Sequence, residues 1–276
     1  MDAVAVNRVF HDHECAYYDD RFAIRHDRWS GRRARREVEQ ALGRRLRPGE
    51  VIVDVGCGTG WYAAGLRRAC DDLAGVVIVG TDLSTGMLES ARLAGADPLV
   101  QADASRLPLA DDSVDVIVTR GVLHHLPDPA IALADWRRVL RPHGAVVVSS
   151  EPTPTVDRHG EVLVRLLLGV LRRPLTPEED FWEVASMAAN LHVFSVEDVA
   201  AAAREAGFDR SELSTAGFAA TLLLTTSYVV HGRAPRLARL VPWRLAESLG
   251  RSVDAVVFDR VVPSRWRHTV VGVLRP

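Results

Sequence analysis

Short apolar runs alternate with longer segments of mixed polarity between residues 51 and 149. The apolar runs predict buried strands, because a strand that is covered on both faces keeps few polar positions. In the segments between them, apolar side chains repeat at helical spacing. Strands that alternate with amphipathic helices are typical of an α/β fold with a parallel sheet. The predicted strands are 51–55, 76–80, 99–102, 114–119 and 145–149.

Polar, mostly helical segments flank this alternating region. Before it, Ser30 is predicted to cap a helix that ends at Gly43. After it, Ser195 and Gly207 are predicted to bound another helix, followed by strands near 212–217 and 268–274. We expect four parts: a helical cap (1–48), a core (49–151), a lid insertion (152–192) and the rest of the core (193–276). The lid insertion is predicted to contain helices at 161–172 and 178–190. The last part is predicted to contain a second helical insertion at about 219–262.

A glycine-rich turn follows the first predicted strand. Gly56, Gly58 and Gly60 stand between that strand and the next helix. Glycines there let a ligand approach the backbone and the free amides of the helix. A dinucleotide site has the same kind of turn, but it needs a further glycine where this chain has Trp61. Asp54, just before the turn, would repel a pyrophosphate and suits an ammonium group.

Two more acidic residues stand where predicted strands end. Asp82 follows the second strand, where a carboxylate can accept hydrogen bonds from both ribose hydroxyls. Asp103 follows the third strand, where it could accept from an adenine amino group. The structural alternative for Asp82 is helix capping, and the structural alternative for Asp103 is a turn. Three acids around one glycine turn favour a site for a nucleoside.

These segments together resemble the class I S-adenosylmethionine-dependent methyltransferases, and most closely the small-molecule group that includes ubiquinone and menaquinone methyltransferases. The resemblance covers residues 45–150 and identifies the cofactor far better than the acceptor. The segments that carry it are VDVGCGTG (Val53–Gly60), GTDLSTGML (Gly80–Leu88), Gln101–Pro129, WRRVLRPHGAVVV (Trp136–Val148) and, later, HVFSVEDVAAAAREAGF (His192–Phe208).

The resemblance implies a Rossmann-like sheet of seven strands, the last one antiparallel. We expect the two insertions, which are unlike the shared core, to roof the substrate site. It implies S-adenosylmethionine as cofactor and S-adenosylhomocysteine as product. Asp54 and the three glycines would hold the methionine part, Asp82 the ribose, and Asp103 the adenine amine. Further residues would contact the cofactor: Leu83, Met87, Ala104, Thr119, Arg120, Tyr17 and Tyr18.

Transfer of a methyl group from a sulfonium needs no protein nucleophile and no metal, so the protein mainly aligns the acceptor and excludes water. A hydroxyl acceptor also needs a general base. His124 and His125 follow the fourth strand, on the side that the resemblance assigns to the acceptor, and histidine has a suitable pKa. The alternative is that this pair only shapes the cofactor pocket.

Composition narrows the class of partner. The net charge of -2 gives no overall field for nucleic acid, and the chain has three cysteines and no apolar run long enough to cross a bilayer. All 34 basic residues are arginine, which indicates a GC-rich, bacterial genome. We therefore expect a cytoplasmic monomer or homodimer, in touch with a membrane surface at most weakly.

The function expected from the sequence is methyl transfer to a small, apolar or aromatic acceptor, as in natural-product biosynthesis. Transfer to oxygen is favoured, and transfer to carbon or nitrogen stays open. Two alternatives remain: a protein that keeps the cofactor for a non-methylating reaction, and a methyltransferase acting on nucleic acid or protein.

Overall fold

The computed structural model describes residues 3–170, 189–190 and 192–276. Its sheet has seven strands: β1 (Val51–Val55), β2 (Val77–Asp82), β3 (Leu99–Gln101), β4 (Val114–Arg120), β5 (Leu140–Pro152), β6 (Arg210–Ala216) and β7 (Thr269–Arg275). Their order is β3-β2-β1-β4-β5-β7-β6. The first five strands are parallel, and β7 is antiparallel to both of its neighbours. The predicted fold class is confirmed.

The helices are α1 (Ala3–Arg21), α2 (Arg28–Leu42), α3 (Trp61–Ala69), α4 (Thr85–Leu93), α5 (Pro129–Val139), α6 (Pro154–Val170), α7 (Val196–Glu205), α8 (Ala219–Arg233), α9 (Pro235–Ala238), α10 (Trp243–Val253) and α11 (Asp259–Val261). Helix α6 begins before the predicted 161–172. The end of that predicted helix and nearly all of 178–190 lie outside the described residues. Within the described part of the chain, no helix is long and apolar enough to span a membrane.

The ends of two helices show which capping signals were read correctly. Gly43 ends α2 with a positive φ of 68°, and Ser195 forms a capping box with Asp198 at the start of α7. The prediction that Ser30 caps α2 is wrong. Asp27 is the N-cap, and its carboxylate accepts from the Ser30 backbone N at 2.8 Å. A carboxylate at this position satisfies a free amide and interacts favourably with the helix dipole.

The sheet is covered by helices on both faces. Helices α2, α3 and α4 supply apolar side chains to one face, and α5 and α7 supply them to the other. Trp136 of α5 is fully buried in the second layer. Both faces of the central strands are therefore dry, and their carboxyl ends meet at one edge, which faces α1.

Helices α2 and α3 approach each other closely at a pair of glycines. A Cβ built on Gly31 would lie 2.7 Å from the carbonyl oxygen of Gly65. This contact is with backbone, which cannot rotate away as the end of a side chain can. The N-terminal cap is therefore fixed to the sheet layer by a close approach that requires glycine.

We expect Gly31→Ala to lower the free energy of unfolding by about 1–2 kcal/mol, because the overpacking outweighs the gain in helix propensity. Urea unfolding followed by circular dichroism measures it. Gly169→Ala in α6 is the matched control, since an added Cβ there meets nothing within 4 Å. Equal stability changes in the two variants would contradict the close approach of α2 and α3.

Candidate active site

A cleft lies between the carboxyl ends of the parallel strands and helix α1. Ligands of α/β proteins with parallel sheets bind at this edge of the sheet. Predicted and unpredicted residues line it together: Val4, Asn7, His11, Tyr18, Gly56, Gly58, Asp82, Leu83, Met87, Ala102, Asp103, Ala104, Arg120, Gly121, Val122, His125, Leu126 and Pro127. Most of the predicted cofactor residues therefore share one cavity.

The glycine turn forms the floor of the cleft. Gly56 and Gly58 have positive φ values of 65° and 52°. A Cβ on Gly56 would lie 2.4 Å from the Val122 side chain, whereas a Cβ on Gly58 would meet nothing within 4 Å. Gly58 thus leaves open space for a ligand, and Gly56 permits packing under the next loop. Gly60 lies outside the cleft, against Ala91 of α4.

Asp82 lines the cleft and holds the glycine turn. One carboxylate oxygen accepts from the Gly58 backbone N at 2.8 Å, and the other accepts from Ser84 N at 2.9 Å. Burial raises the pKa of this carboxyl to about 6, although these amides favour its ionised form. The helix cap itself is Ser84. Asp82 is therefore more than a capping residue, because lone pairs remain on the side that lines the cleft.

Asp54 lies behind the glycine turn and does not line the cleft. Its carboxylate accepts from the Ala63 backbone N at 2.8 Å, which fixes the start of α3. Burial raises its pKa to about 7, and the nearby Asp82 charge adds to the effect. The structure thus gives Asp54 a role in supporting the turn, and its electrostatic field extends toward the cleft.

The residues expected around an adenine meet on one wall. Asp103 accepts from the Ser105 backbone N at 2.8 Å, so it does form the turn that was the structural alternative. It also lines the cleft, together with Leu83, Met87 and Ala104. The Ala104 carbonyl accepts from the Trp136 indole at 2.7 Å, which fixes this wall to the buried core.

The end of β4 supplies the opposite wall. Thr119 is buried and does not line the cleft, and its hydroxyl has no hydrogen-bond partner. Arg120 does line it, with its guanidinium 4.5 Å from the centre of the Trp61 ring. Trp61, which argued against a dinucleotide turn in the sequence, thus orients a cation beside the cleft.

A fully buried carboxylate shapes the loop after β4. Glu151, in β5, accepts from the backbone N of Val122 at 2.8 Å and of Leu123 at 3.1 Å. It also accepts from His124, at 3.2 Å from the backbone N and 3.0 Å from Nδ1. Four donors converge on one side chain, so the geometry of the whole loop depends on it.

The two candidate histidines have different surroundings. His124 donates from Nδ1 to Glu151, because a carboxylate only accepts, and it lies outside the cleft lining. His125 lines the cleft, and its Nδ1 donates to the Ala189 carbonyl at 2.8 Å. Burial, with His124 and His11 nearby, lowers the pKa of His125 well below its ordinary value. Its ring is therefore neutral near pH 7, with a lone pair on Nε2.

Helix α1 forms the roof of the cleft, through one face that carries Val4, Asn7, His11 and Tyr18. Asn7 Nδ2 and His11 Nδ1 are buried without a hydrogen-bond partner. Burial, together with the His124 ring, lowers the pKa of His11 to about 4. Of the two predicted tyrosines only Tyr18 lines the cleft, because Tyr17 points outward with 54% of its surface exposed.

Two aspartates attach this roof to the core. Asp12 accepts from the Ser84 hydroxyl at 2.6 Å and from Gly86 N at 3.1 Å, at the start of α4. Asp19 accepts from the Thr59 hydroxyl at 2.6 Å, in the glycine turn. The roof is thus bonded to the same two elements that form the expected cofactor site.

Sequence reasoning missed Asn7 and His11 as site residues. Their signal was the spacing of positions 4, 7, 11 and 18, which places them on one face of a helix. None of the described residues of the two insertions lines the cleft, and residues 171–188 of the first insertion lie outside the described part of the chain, so the predicted roof stays a prediction there. Among the described residues, the first insertion contacts the site near its end, through the Ala189 carbonyl and through His192 N, which donates to the His124 carbonyl at 3.2 Å.

Residues 53–148 match a family described as a methyltransferase domain. The chain is 39% identical over 121 residues to the demethylmenaquinone methyltransferase of Beutenbergia cavernae. This aligned segment covers 44% of this chain and 48% of the relative. Residues 53–148 form a class I S-adenosylmethionine-dependent methyltransferase domain.

The fold is shared with several solved structures. A Thermotoga maritima S-adenosylmethionine-dependent methyltransferase is 23% identical with a TM-score of 0.52, covering 77% of this chain and 86% of the other. The [4+2]-cyclase SpnF is 19% identical with a TM-score of 0.51, covering 88% and 80%. Identities this low show the fold alone. The chain spans between 30% and 57% of the length of the curated relatives it matches.

The methyltransferase domain shows no metal site in the part of the chain that the structure describes, where no group of three or more His, Cys, Asp or Glu side chains is placed to hold an ion.

We expect Glu151→Gln to lower the free energy of unfolding of the chain by about 2–4 kcal/mol, because the amide leaves buried donors unpaired. Urea unfolding measures the change. Glu212→Gln is the control, since Glu212 is 65% exposed and pairs with Arg275 at the surface, a pair that contributes under about 1 kcal/mol. A small, equal change in both variants would contradict the role of Glu151.

Proposed function

We propose that this chain transfers a methyl group from S-adenosylmethionine to a small molecule. The observation that carries the proposal is that the Gly58 turn, Asp82 and Asp103 line one cleft, closed on its other side by α1. These are the groups expected to contact the methionine, the ribose and the adenine. The family match over residues 53–148 supports the same cofactor.

The residues of the cleft fit this cofactor by charge and by space. Asp54 is buried and Asp82 is partly buried, and loss of solvation raises the pKa values of both. A cationic ligand would stabilise the ionised forms of these carboxylates. Gly58 leaves room for close approach, and Asp82 and Asp103 supply acceptors for hydroxyl and amino donors.

The bound cofactor supplies an activated methyl group, so the protein needs no nucleophile of its own. Helix α1 covers the cleft and excludes water from the acceptor. The hydrogen bond from His125 Nδ1 to Ala189 fixes the tautomer of the ring and leaves Nε2 free to take a proton. We assign His125, rather than His124, as the base for a hydroxyl acceptor.

The acceptor is proposed to have an apolar body and an oxygen, with O-methylation favoured. Val4, Leu126 and Pro127 give the cleft an apolar part beside His125. The unpaired Asn7 amide on the same wall can donate to an oxygen of the acceptor. We do not carry over the acceptor of the relatives, because helix α1 lies outside the matched residues 53–148.

Methyl transfer is preferred over the two other functions that the sequence left open. The fold is shared with a [4+2]-cyclase, so the fold alone does not select the reaction. A base in the cleft supports methyl transfer to a hydroxyl. The enclosed cleft suits a small acceptor better than a nucleic acid or a protein. We place the protein in the cytoplasm, since all three cysteines are free thiols.

Asp82→Asn should weaken S-adenosylmethionine binding by roughly 1.5–3 kcal/mol, because charge-assisted hydrogen bonds to the ribose are lost. Isothermal titration calorimetry measures it. The native protein should also lose affinity as the pH falls from 8 to 5, because protonation of carboxyls with pKa values of about 7 and about 6 removes the ionised forms. The variant should show a flatter pH dependence.

Glu89→Gln is a suitable control, as Glu89 lies on α4 outside the cleft lining. Unchanged affinity in Asp82→Asn, or stronger binding of a nicotinamide dinucleotide, would refute the cofactor assignment.

His125→Ala should lower turnover about 10²–10⁴-fold while leaving the affinity for S-adenosylmethionine nearly unchanged, because a general base acts on the acceptor. Transfer of a labelled methyl group to a hydroxynaphthalene, followed by mass spectrometry, provides the assay. In His124→Ala the turnover of the folded fraction should change much less. Equal losses of cofactor binding and turnover in His125→Ala would show that it only shapes the pocket.

A further inference from the structure

The helical stretch 243–261 reverses the usual distribution of polar and apolar side chains. Helix α10, a π turn (Asp254–Phe258) and α11 form this stretch. Glu247, Gly250 and Asp254 are its buried residues. Six of its aliphatic side chains are exposed instead, whereas Trp243 and Phe258 are partly buried: Leu245 (57%), Leu249 (58%), Val253 (42%), Val256 (63%), Val257 (43%) and Val261 (73%).

The buried polar side is fully used by the fold. Asp254 accepts from the backbone N of Phe218 at 3.1 Å, Ala219 at 2.8 Å and Ala220 at 2.9 Å, and so caps helix α8. Glu247 bonds to Arg251 of the same helix. These bonds fix the rotation of the helix, because turning the apolar side inward would leave the Asp254 carboxylate and three amides unpaired.

The exposed apolar residues form one stripe. Leu245, Leu249 and Val253 follow each other at intervals of four residues, which places them on one helix face. Val256 continues that face three residues later, and Trp266 is 52% exposed shortly beyond. A contiguous apolar stripe of this length is unusual on a free surface and marks an interaction site.

The sequence segment 235–266, which contains the stripe, carries a net positive charge. Arg236, Arg239, Arg260 and Arg265 are exposed, and no ion pair is recorded for them within the described residues. The three acids of the segment 235–266 all point to internal partners: Glu247 and Asp254 as above, and Asp259 accepts from Gly217 N at 3.1 Å. The segment holds six arginines and these three acids, so its formal net charge is +3.

We propose that this surface, which we call the arginine–leucine face, binds an anionic lipid bilayer. Apolar side chains enter the boundary between headgroups and acyl chains, while arginines contact the lipid phosphates. A second copy of this chain fits less well, because a symmetric contact would bring the same arginines together. The proposal does not depend on the methyl-transfer activity.

The test is cosedimentation of the full chain with vesicles of equal parts phosphatidylglycerol and phosphatidylcholine, compared with pure phosphatidylcholine vesicles. We expect binding to the first kind only, weakened by high salt. Replacing Arg239, Arg260 and Arg265 with Gln should lower the partition coefficient about fivefold for each arginine. Replacing Leu245 and Leu249 with Ser should lower it about tenfold or more.

Matched controls come from exposed positions elsewhere. The variants Leu93→Ser, Ile131→Ser and Arg92→Gln should bind the vesicles like the native chain. Leu93 is 91% exposed, Ile131 is 58% exposed, and Arg92 is also exposed. Circular dichroism checks the fold of every variant. Equal binding to both vesicle types, or none, would overturn the proposal. Sedimentation velocity showing a dimer that Leu245→Ser dissociates, without vesicle binding, would make the face a contact between copies.

Discussion

The carboxylate of Glu151 is the interaction on which the candidate site depends. It joins the end of β5 to the loop after β4 through four donors, all within 3.2 Å. Because this loop carries His125 and the apolar residues beside it, the position of the proposed base depends on a group that does not line the cleft. A carboxylate buried without water is tolerable only when such donors surround it.

The acids of the site divide into two kinds. Asp82 and Asp103 line the cleft, whereas Asp54 and Glu151 lie behind it and hold backbone amides. Asp54 and Glu151 shape the glycine turn and the loop after β4, and both of these segments form part of the cleft. Concentrating negative charge in this way is costly in an empty cleft, as the raised pKa values of Asp54 and Asp82 show, and it favours a cation there.

The sheet and the position of the glycine turn could be predicted from the sequence, because both depend on local signals. Buried strands read as apolar runs, and the glycine turn and Asp82 stand beside their strands. The N-cap of α2 was missed because Asp27 and Ser30 are both good caps, and only the structure shows that Asp27 takes the position.

The acceptor side was harder to predict for a physical reason. His11 and Asn7 enter the cleft only because Asp12 and Asp19 fix α1 over the sheet, and these contacts join residues about 40 to 74 positions apart. The insertions were expected as a roof from their apolar content, yet the stripe on α10 faces outward. Hydrophobic spacing identifies an apolar face and does not say what covers it.

The attachment of α1 has a consequence for kinetics. A ligand that fills the cleft touches both the glycine turn and the roof, so opening of the Asp12 and Asp19 contacts would widen its path to solvent. Such opening is a local unfolding event of a helix, with its own rate and free energy. The exchange of a ligand is then coupled to the stability of the contacts that hold this nineteen-residue helix in place.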